Sequence, residues 1–238
     1  MDKWLYSESI ESDSIVSIQA KYGHFIDGKF STPNSKNYLK TVSPSTEEVL
    51  ASISIGNKND VDSAVNSAKE GLKIWSKTAP SERAKYLYKL ARLIQERSRE
   101  FAVLESMDGG KPIKESRDVD LPLAAAHFFY HAGWADKLEY AFPQRELEPH
   151  GVVGQIIPWN FPLLMLSWKI APAIACGNTV VLKPAEFTSL TALFFAELCE
   201  KAILSESIEK YENDKLVFFK SNTFQNEKQK LSLIHISE

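Results

Sequence analysis

Residues 151–186 constrain the fold more than any other part of the chain, because they follow a strand, helix, strand pattern. Two short apolar runs, Gly151–Ile157 and Thr179–Leu182, flank a helix-like segment, Leu163–Ala175. A connection of this kind is almost always right-handed and makes the two strands parallel neighbours. Strands that are apolar on both faces are typical of a parallel sheet covered by helices on both sides. The sequence therefore predicts an α/β fold with a Rossmann-like parallel sheet.

Each of these strands ends in a turn that carries polar side chains. Pro158–Pro162 follows the first strand as PWNFP, and Lys183–Glu186 ends the second strand as KPAE. Doubly wound sheets bind ligands at the carboxyl ends of their strands, so both turns are candidate ligand sites. Gly151 and Gly154 precede the first turn and do not form the Gly-x-Gly-x-x-Gly fingerprint. The sequence therefore does not predict a glycine loop around a phosphate.

Asn160 allows two interpretations. Its amide lies between Trp159 and Phe161 and could donate a hydrogen bond to an oxygen that gains negative charge, a role worth roughly 3–4 kcal/mol in studied enzymes. Asn is also a favourable helix cap, and a helix is predicted from Leu163 onward. The spacing alone favours the cap.

Lys183 and Glu186 also allow two interpretations. A lysine at the end of a sheet strand can bind sugar hydroxyls or neutralise a phosphate, and an acid there can bind a ribose 2′-hydroxyl and repel a 2′-phosphate. The alternative is an exposed ion pair worth at most about 1 kcal/mol. The spacing does not decide between them.

The rest of the chain is predicted to add a hairpin, a strand and further helices. Asp27-Gly28 is a strong hairpin-turn signal within Tyr22–Phe30. Apolar periodicity and capping residues predict the other elements: a strand at Val49–Ile55, a helix that begins at Asn59 or Asp60, one helix from Ala79 to Gly109, another from Glu115 to Glu139, and a last helix capped by Thr188 or Ser189.

Composition excludes several classes of partner. The net charge of −3 and the pI near 6.0 provide no basic patch for nucleic acid. No apolar run reaches the roughly 18 residues of a membrane span, and the acidic N-terminal segment lacks the apolar core of a signal peptide. We therefore expect no nucleic-acid partner and no membrane partner, and a cytoplasmic protein with reduced thiols.

The cysteines and paired histidines are not predicted to be functional. Cys176 and Cys199 lie in apolar helix segments and are expected to be small buried residues. His127 and His131 are one helical turn apart, but no third ligand is evident, so packing against neighbouring aromatic rings is expected. No metal site is predicted.

The segment IIPWNFPLLMLSWKIAPAIACGNTVVLKPAE closely resembles the aldehyde dehydrogenase superfamily. The segments IDGKF, SPSTEEVLASI, SERAKYLYKLARLI and DGGKPIKES fit the same family, so the resemblance runs from about Tyr22 to Ala202. The stretch DLPLAAAHFFYHAGWADKL is similar to the sixteenth aldehyde dehydrogenase family. The resemblance implies the cofactor domain of an NAD-dependent oxidoreductase, with NADP the less expected cofactor.

The resemblance also assigns roles to individual residues. It implies that Asn160 donates to the oxyanion and that Lys183 and Glu186 contact the adenosine ribose of the dinucleotide. The backbone of Ile156, Ile157, Pro158 and Trp159 is implied to line the nicotinamide side of the cleft. The substrate would be an aldehyde, oxidised to a carboxylate, and the intact protein would be a homo-oligomer.

The resemblance and the composition together divide the chain. Residues 1–21 are expected to be a flexible lead-in, 22–139 the N-terminal part of the cofactor domain, 140–150 an oligomerisation arm, and 151–202 the first βαβα unit of the NAD-binding sheet. Residues 203–238 contain no Gly and no Pro and are expected to be a tail unrelated to the family. Within this tail, Leu231–Glu238 resembles the translation of a sequencing-library adapter.

The family's nucleophilic cysteine and its glutamate have no counterpart after Ala202. We therefore expect an incomplete sheet and an N-terminal fragment that is catalytically inactive. Two alternatives stay open: a short protein that binds nucleotide or pairs with a full-length subunit without catalysis, and a non-catalytic scaffold member of the family.

Overall fold

The strands of the chain pair in small separate sheets. The computed structural model describes residues 12–204, 209–212 and 215–218. A three-stranded sheet has the order β1-β5-β4, and β2–β3, β6–β7 and β8–β9 form two-stranded pairs. The strands are β1 (Lys21–Tyr22), β2 (His24–Ile26), β3 (Lys29–Ser31), β4 (Tyr38–Val42), β5 (Val49–Ser54), β6 (Val152–Ile156), β7 (Thr179–Lys183), β8 (Glu209–Glu212) and β9 (Lys215–Phe218).

Helices fill most of the region between β5 and β6 and flank β7. Two irregular turns of helix accompany them, a 3₁₀ turn at Asp13–Ile15 and a π-helical turn at Ser116–Asp120. The helices are α1 (Lys58–Trp75), α2 (Pro80–Glu96), α3 (Ser98–Gly109), α4 (Ile113–Glu115), α5 (Leu121–Ala135), α6 (Leu138–Ala141), α7 (Pro162–Ala175) and α8 (Leu190–Leu204).

The predicted hairpin at Asp27-Gly28 is confirmed. Strands β2 and β3 are antiparallel, with Ile26 opposite Lys29. Asp27 and Gly28 have φ values of 57° and 71°. A two-residue turn with positive φ at both positions matches the twist of the strands it joins.

The start of α1 differs from the prediction. The cap is Asn57, whose side chain accepts from the backbone N–H groups of Asn59 and Asp60, at 2.8 and 3.2 Å. Asp60 is the third helical residue, and its carboxylate accepts from the backbone N–H of Asn57 at 2.9 Å. This reciprocal capping box satisfies donors that would otherwise be unpaired at the helix start.

The single helix predicted from Ala79 to Gly109 is two helices, α2 and α3, which meet at Arg97. Arg97 leaves the helical conformation, with φ −102° and ψ 19°. Its guanidinium lies 4.3 Å from the centroid of the Phe194 ring and is paired with Glu100. The break therefore coincides with a contact to α8, which local periodicity does not reveal. The third predicted helix is likewise divided into α4, the π-helical turn, α5 and α6.

The core lies among α2, α3, α5, α7 and α8. Phe101 of α3 packs edge-on against Phe194 of α8 at 5.4 Å between ring centroids. Phe128 of α5 stacks on Phe195 at 5.5 Å. The β6–β7 pair is tied to α1, because the Thr179 hydroxyl donates to the carbonyl of Ala68 at 2.9 Å. These contacts hold the parallel pair against the helices.

The structure describes the predicted lead-in and the predicted tail only in part, and it shows little regular structure in the predicted arm. Residues 12–21 of the expected lead-in are described, and there Val16 and Ile18 pack against the core; residues 1–11 lie outside the described part. Residues 143–151 have no regular structure beyond a turn. In the expected tail, α8 ends at Leu204 and β8 pairs with β9, whereas Leu231–Glu238 lies outside the described residues. No helix of the described part is long and apolar enough to cross a bilayer.

Candidate functional site

The two polar turns lie side by side at the same edge of the sheet. Strands β6 and β7 are parallel, and Ile156 is opposite Lys183 at their carboxyl ends. The backbone N–H of Ile157 donates to the carbonyl of Lys183 at 3.1 Å. The turn 158–161 therefore begins beside the turn 184–189, as the strand–helix–strand pattern predicts.

Asn160 is not the cap of α7. The capping position is Phe161, and no side chain of the turn accepts a hydrogen bond from the helix start. The Asn160 side chain is exposed, and its amide has no hydrogen-bond partner among the described residues. The interpretation as a helix cap, which spacing alone favoured, is wrong. The amide is left available to a ligand.

The N-terminus of α7 is capped from another helix. The backbone N–H of Leu163 donates to Oε1 of Glu105, on α3, at 3.1 Å. Glu105 is 1% exposed, and its second oxygen, Oε2, has no hydrogen-bond partner among the residues that the structure describes. Burial raises the pKa of Glu105 from 4.5 to about 7; the Leu163 N–H and the charge of Lys111 oppose this rise.

The next acid on the same face of α3 caps α8. The backbone N–H of Leu190 donates to Oδ2 of Asp108 at 2.9 Å. Asp108 also accepts from the Thr41 hydroxyl at 2.7 Å, and its burial raises its pKa from 3.8 to about 6. Ser189 directly precedes α8, and its carbonyl accepts from the Leu193 N–H at 3.2 Å, so Ser189 occupies the expected cap position, but its side chain is not the acceptor of the Leu190 N–H. The Ser189 hydroxyl donates to the carbonyl of Ala185 at 2.8 Å instead.

The two buried acids have a predictable effect on stability. Both pKa values are raised, so between about pH 4 and about 7 the folded chain binds more protons than the unfolded chain. Their contribution to the free energy of unfolding is largest below the pKa values that the two groups have in the unfolded chain. It is lost as pH rises to about 7. At neutral pH these carboxylates therefore stabilise the fold less than their protonated forms do.

Lys183 and Glu186 form an ion pair in the second turn, with Nζ and Oε1 2.5 Å apart. Their side chains are 21% and 29% exposed. The pairing agrees with the simpler of the two interpretations of these residues. It also places a cation and a carboxylate together at the end of β7, where solvent reaches both, so it does not exclude a ligand.

Neither cysteine lies at the turns. Cys176 is at the far end of α7, about 20 Å from its start for a 14-residue helix. Cys176 is exposed, so the expectation that it is buried is wrong. The surrounding protein partly desolvates its thiol and raises the pKa, while Arg83 opposes this rise. Cys199 is buried as expected, and burial raises the pKa of its thiol.

The paired histidines pack against aromatic rings. The His127 ring is edge-on to Trp168, with centroids 5.4 Å apart, and stacks on His131 at 6.1 Å. The described part of the chain contains no group of three or more His, Cys, Asp or Glu side chains placed to hold a metal ion.

Comparison with known proteins identifies the family. The model of the aldehyde dehydrogenase family matches residues 30–210. The chain belongs to the aldehyde dehydrogenase family. The match includes the first residues of the segment 203–238, which the sequence assigned to an unrelated tail. The closer resemblance to the sixteenth family stays a prediction.

Curated members of the aldehyde dehydrogenase family resemble most of this chain. The fluoroacetaldehyde dehydrogenase of Streptantibioticus cattleyicolor is 43% identical over 193 residues, which are 78% of this chain and 38% of that protein. The mitochondrial aldehyde dehydrogenase of Rattus norvegicus is 44% identical over 189 residues, 75% of this chain and 36% of that protein. The chain thus spans well under half the length of these relatives.

Solved structures of the family share the fold. The NAD⁺ complex of an aldehyde dehydrogenase from Bacillus cereus is 40% identical and superimposes with a TM-score of 0.71, over 76% of this chain and 39% of that one. The described sheet pairs therefore represent an incomplete aldehyde dehydrogenase α/β fold.

Glu105 and Asp108 are the site residues that the sequence interpretation missed. Both continue the buried stripe of α3, because Glu105 is four residues after Phe101 and Asp108 is four residues after Leu104. An acid at a buried position of an apolar stripe needs a partner. That pattern was the available signal, and it identifies no partner by itself.

Proposed function

We propose that this chain is the part of an NAD-dependent aldehyde dehydrogenase that holds the nucleoside ends of the dinucleotide and presents Asn160 to the substrate. The intact protein would oxidise an aldehyde to a carboxylate in the cytoplasm. The adjacency of the two turns at one sheet edge carries this proposal. The family members of known structure include an NAD⁺ complex.

The residues at this edge suit a dinucleotide. Ile156 and Trp159 are 71% and 59% exposed, so a ligand can lie against the first turn. Lys183 and Glu186 offer a donor and an acceptor suited to ribose hydroxyls. The N-termini of α7 and α8 are occupied by carboxylates of the chain, so these helix ends are unsuited to the pyrophosphate. Bound NAD would supply the hydride acceptor.

Asn160 has the chemistry of an oxyanion donor in this proposal. When a nucleophile adds to an aldehyde, the carbonyl oxygen gains negative charge, and a fixed amide N–H stabilises that charge. The position of Asn160, next to the proposed nicotinamide border at Ile156–Trp159 and without a side-chain partner among the described residues, supports this role. Neither Cys176 nor Cys199 is near it, so we propose that this chain alone does not oxidise aldehydes.

We expect Glu186 to make the chain prefer NAD over NADP. Its carboxylate would accept from the ribose 2′-hydroxyl and repel a 2′-phosphate. Calorimetric titration should give tighter binding of NAD than of NADP, and Glu186→Gln should reduce that preference by about tenfold, which corresponds to about 1.4 kcal/mol. The loss of the Lys183 pair should cost the fold at most about 1 kcal/mol.

Glu82→Gln is the matched control for this titration. Glu82 forms a pair of the same three-residue spacing with Lys85, at 2.6 Å, on the exposed surface of α2. Its loss should leave both affinities unchanged. Equal binding of NAD and NADP by the unmodified chain, or an equal response to both substitutions, would contradict the role of Glu186. Aldehyde-dependent NADH formation by this chain would contradict its proposed inactivity.

We also propose that the intact enzyme is a homo-oligomer that pairs through residues 140–150. Tyr140 is 85% exposed, and Phe142 and Leu147 are 46% and 42% exposed, which leaves apolar side chains for a partner to cover. Replacing all three side chains with Ser should lower the molar mass of the oligomer, as measured by light scattering. Leu123→Ser, on the exposed face of α5, should leave that mass unchanged. An unchanged mass in the triple variant would refute this pairing.

A further inference from the structure

Two contacts from the region of α3 hold the turn that carries Asn160. The Leu163 N–H, on the C-terminal side of the turn, donates to Glu105 at 3.1 Å. The second contact is made by Phe161, which directly follows Asn160. The Lys111 ammonium lies 3.8 Å from the centroid of the Phe161 ring and is paired with Asp120. Because the Asn160 side chain has no hydrogen-bond partner among the described residues, these contacts of its neighbours determine where its amide lies.

The use of Glu105 as a helix cap has a free-energy cost. Its carboxyl group is buried, and Oε2 has no hydrogen-bond partner within the described part of the chain. The surrounding charges are those of Lys111, Asp120 and Asp108, and the two acids oppose ionisation of Glu105. A neutral acceptor of the same size, Gln, would cap the Leu163 N–H without the cost of burying an ionisable group. Stability alone therefore does not account for an acid at this position.

We propose that Glu105 is a positioning residue, which fixes the turn 158–162 through the Leu163 N–H and so sets the place of the Asn160 amide. The identity of the ligand bound at this turn rests on the proposed function, whereas the positioning contact itself does not. Asp108 has the same relation to the turn 184–189 through the Leu190 N–H. Each of the two buried acids of α3, Glu105 and Asp108, thus controls one of the two ligand turns.

Hydrogen exchange of individual backbone amides tests this inference. In Glu105→Met, which keeps the size of the side chain and removes the acceptor, the amides of 161–166, apart from Pro162, which has no N–H, should exchange about tenfold faster, as expected for a lost helix cap. Amides 188–193 should keep their rates. Asp108→Leu should give the reverse pattern. Equal changes in both segments, or no change at 161–166, would overturn the proposal.

Glu105→Gln provides a second variant that keeps an acceptor and so preserves the fold. In the unmodified chain, protection of 161–166 relative to the middle of α5 should fall between about pH 6 and about 8, because Glu105 holds its proton more tightly when it is buried in the closed state than when the turn opens. In Glu105→Gln this pH dependence should be absent. A pH dependence that survives the substitution would also overturn the proposal.

A binding measurement separates this inference from the proposed function. If NAD binds the unmodified chain, Glu105→Met should weaken that binding, while the unfolding midpoint in urea should fall no further than the loss of one helix cap requires. If the exchange pattern is as expected but the unmodified chain does not bind NAD, the positioning role stands and the proposed function fails. If Glu105→Met lowers the urea midpoint and all amides exchange faster, Glu105 is merely structural.

Discussion

Replacing Phe128 with Ala is expected to lower the free energy of unfolding by about 3–5 kcal/mol. Phe128 is fully buried, and its ring stacks on Phe195 at 5.5 Å with an interplanar angle of 29°. The pair joins α5 to α8. Removing the ring loses its burial and leaves a cavity between the two helices, because closely packed helices relax only in part.

Equilibrium unfolding in urea measures this loss, and Leu123→Ala is the control on the same helix. Leu123 is 44% exposed, so its truncation should change the free energy of unfolding by no more than about 0.5 kcal/mol. A stability margin of about 5–15 kcal/mol is usual for a domain. If Phe128→Ala leaves no folded population, Phe128→Leu should show a smaller loss of the same sign. Equal effects of Phe128→Ala and Leu123→Ala would show that this pair is not part of the core.

Local patterns were sufficient to predict the elements that depend on local chemistry. The hairpin turn needs positive φ at two residues, and Asp27-Gly28 supplies it. The parallel pairing of β6 and β7 follows from one short crossover helix with a fixed handedness. In both cases the decisive constraint lies within a few residues or within one strand–helix–strand unit, so the sequence reveals it.

The features that local patterns missed depend on partners far along the chain. The break at Arg97 coincides with a contact to Phe194 on α8. The cap of α7 comes from Glu105, 58 residues before Leu163, and the cap of α8 comes from Asp108, 82 residues before Leu190. Asn160 does not cap α7 because the helix begins at Pro162, which makes Phe161 the capping residue and leaves Asn160 one residue too early. Periodicity showed that Glu105 and Asp108 face inward, but no local rule identifies the amides that they meet.

The freedom of the Asn160 amide leads to the largest functional effect that we expect. In a chimera of residues 1–204 with the remaining C-terminal part of the Streptantibioticus cattleyicolor enzyme, which is 43% identical in the matched region, Asn160→Ala should lower kcat by about 10²–10³-fold. The KM for NAD should change little, because the proposed role of the amide concerns the aldehyde oxygen and not the cofactor. Steady-state formation of NADH measures both quantities.

Asn160→Asp separates oxyanion stabilisation from helix capping. Asp caps helices as well as Asn does, so Asp would preserve activity if the side chain acted only on the helix start. An ionised carboxylate cannot donate a hydrogen bond and would repel a developing oxyanion, so the proposed role requires that Asn160→Asp lose at least as much kcat as Asn160→Ala. Asn66→Ala, at an exposed position of α1, controls for loss of a surface amide and should retain full activity. Since Glu105 already accepts from the Leu163 N–H at the start of α7, activity retained in Asn160→Asp would contradict the proposed oxyanion role of Asn160.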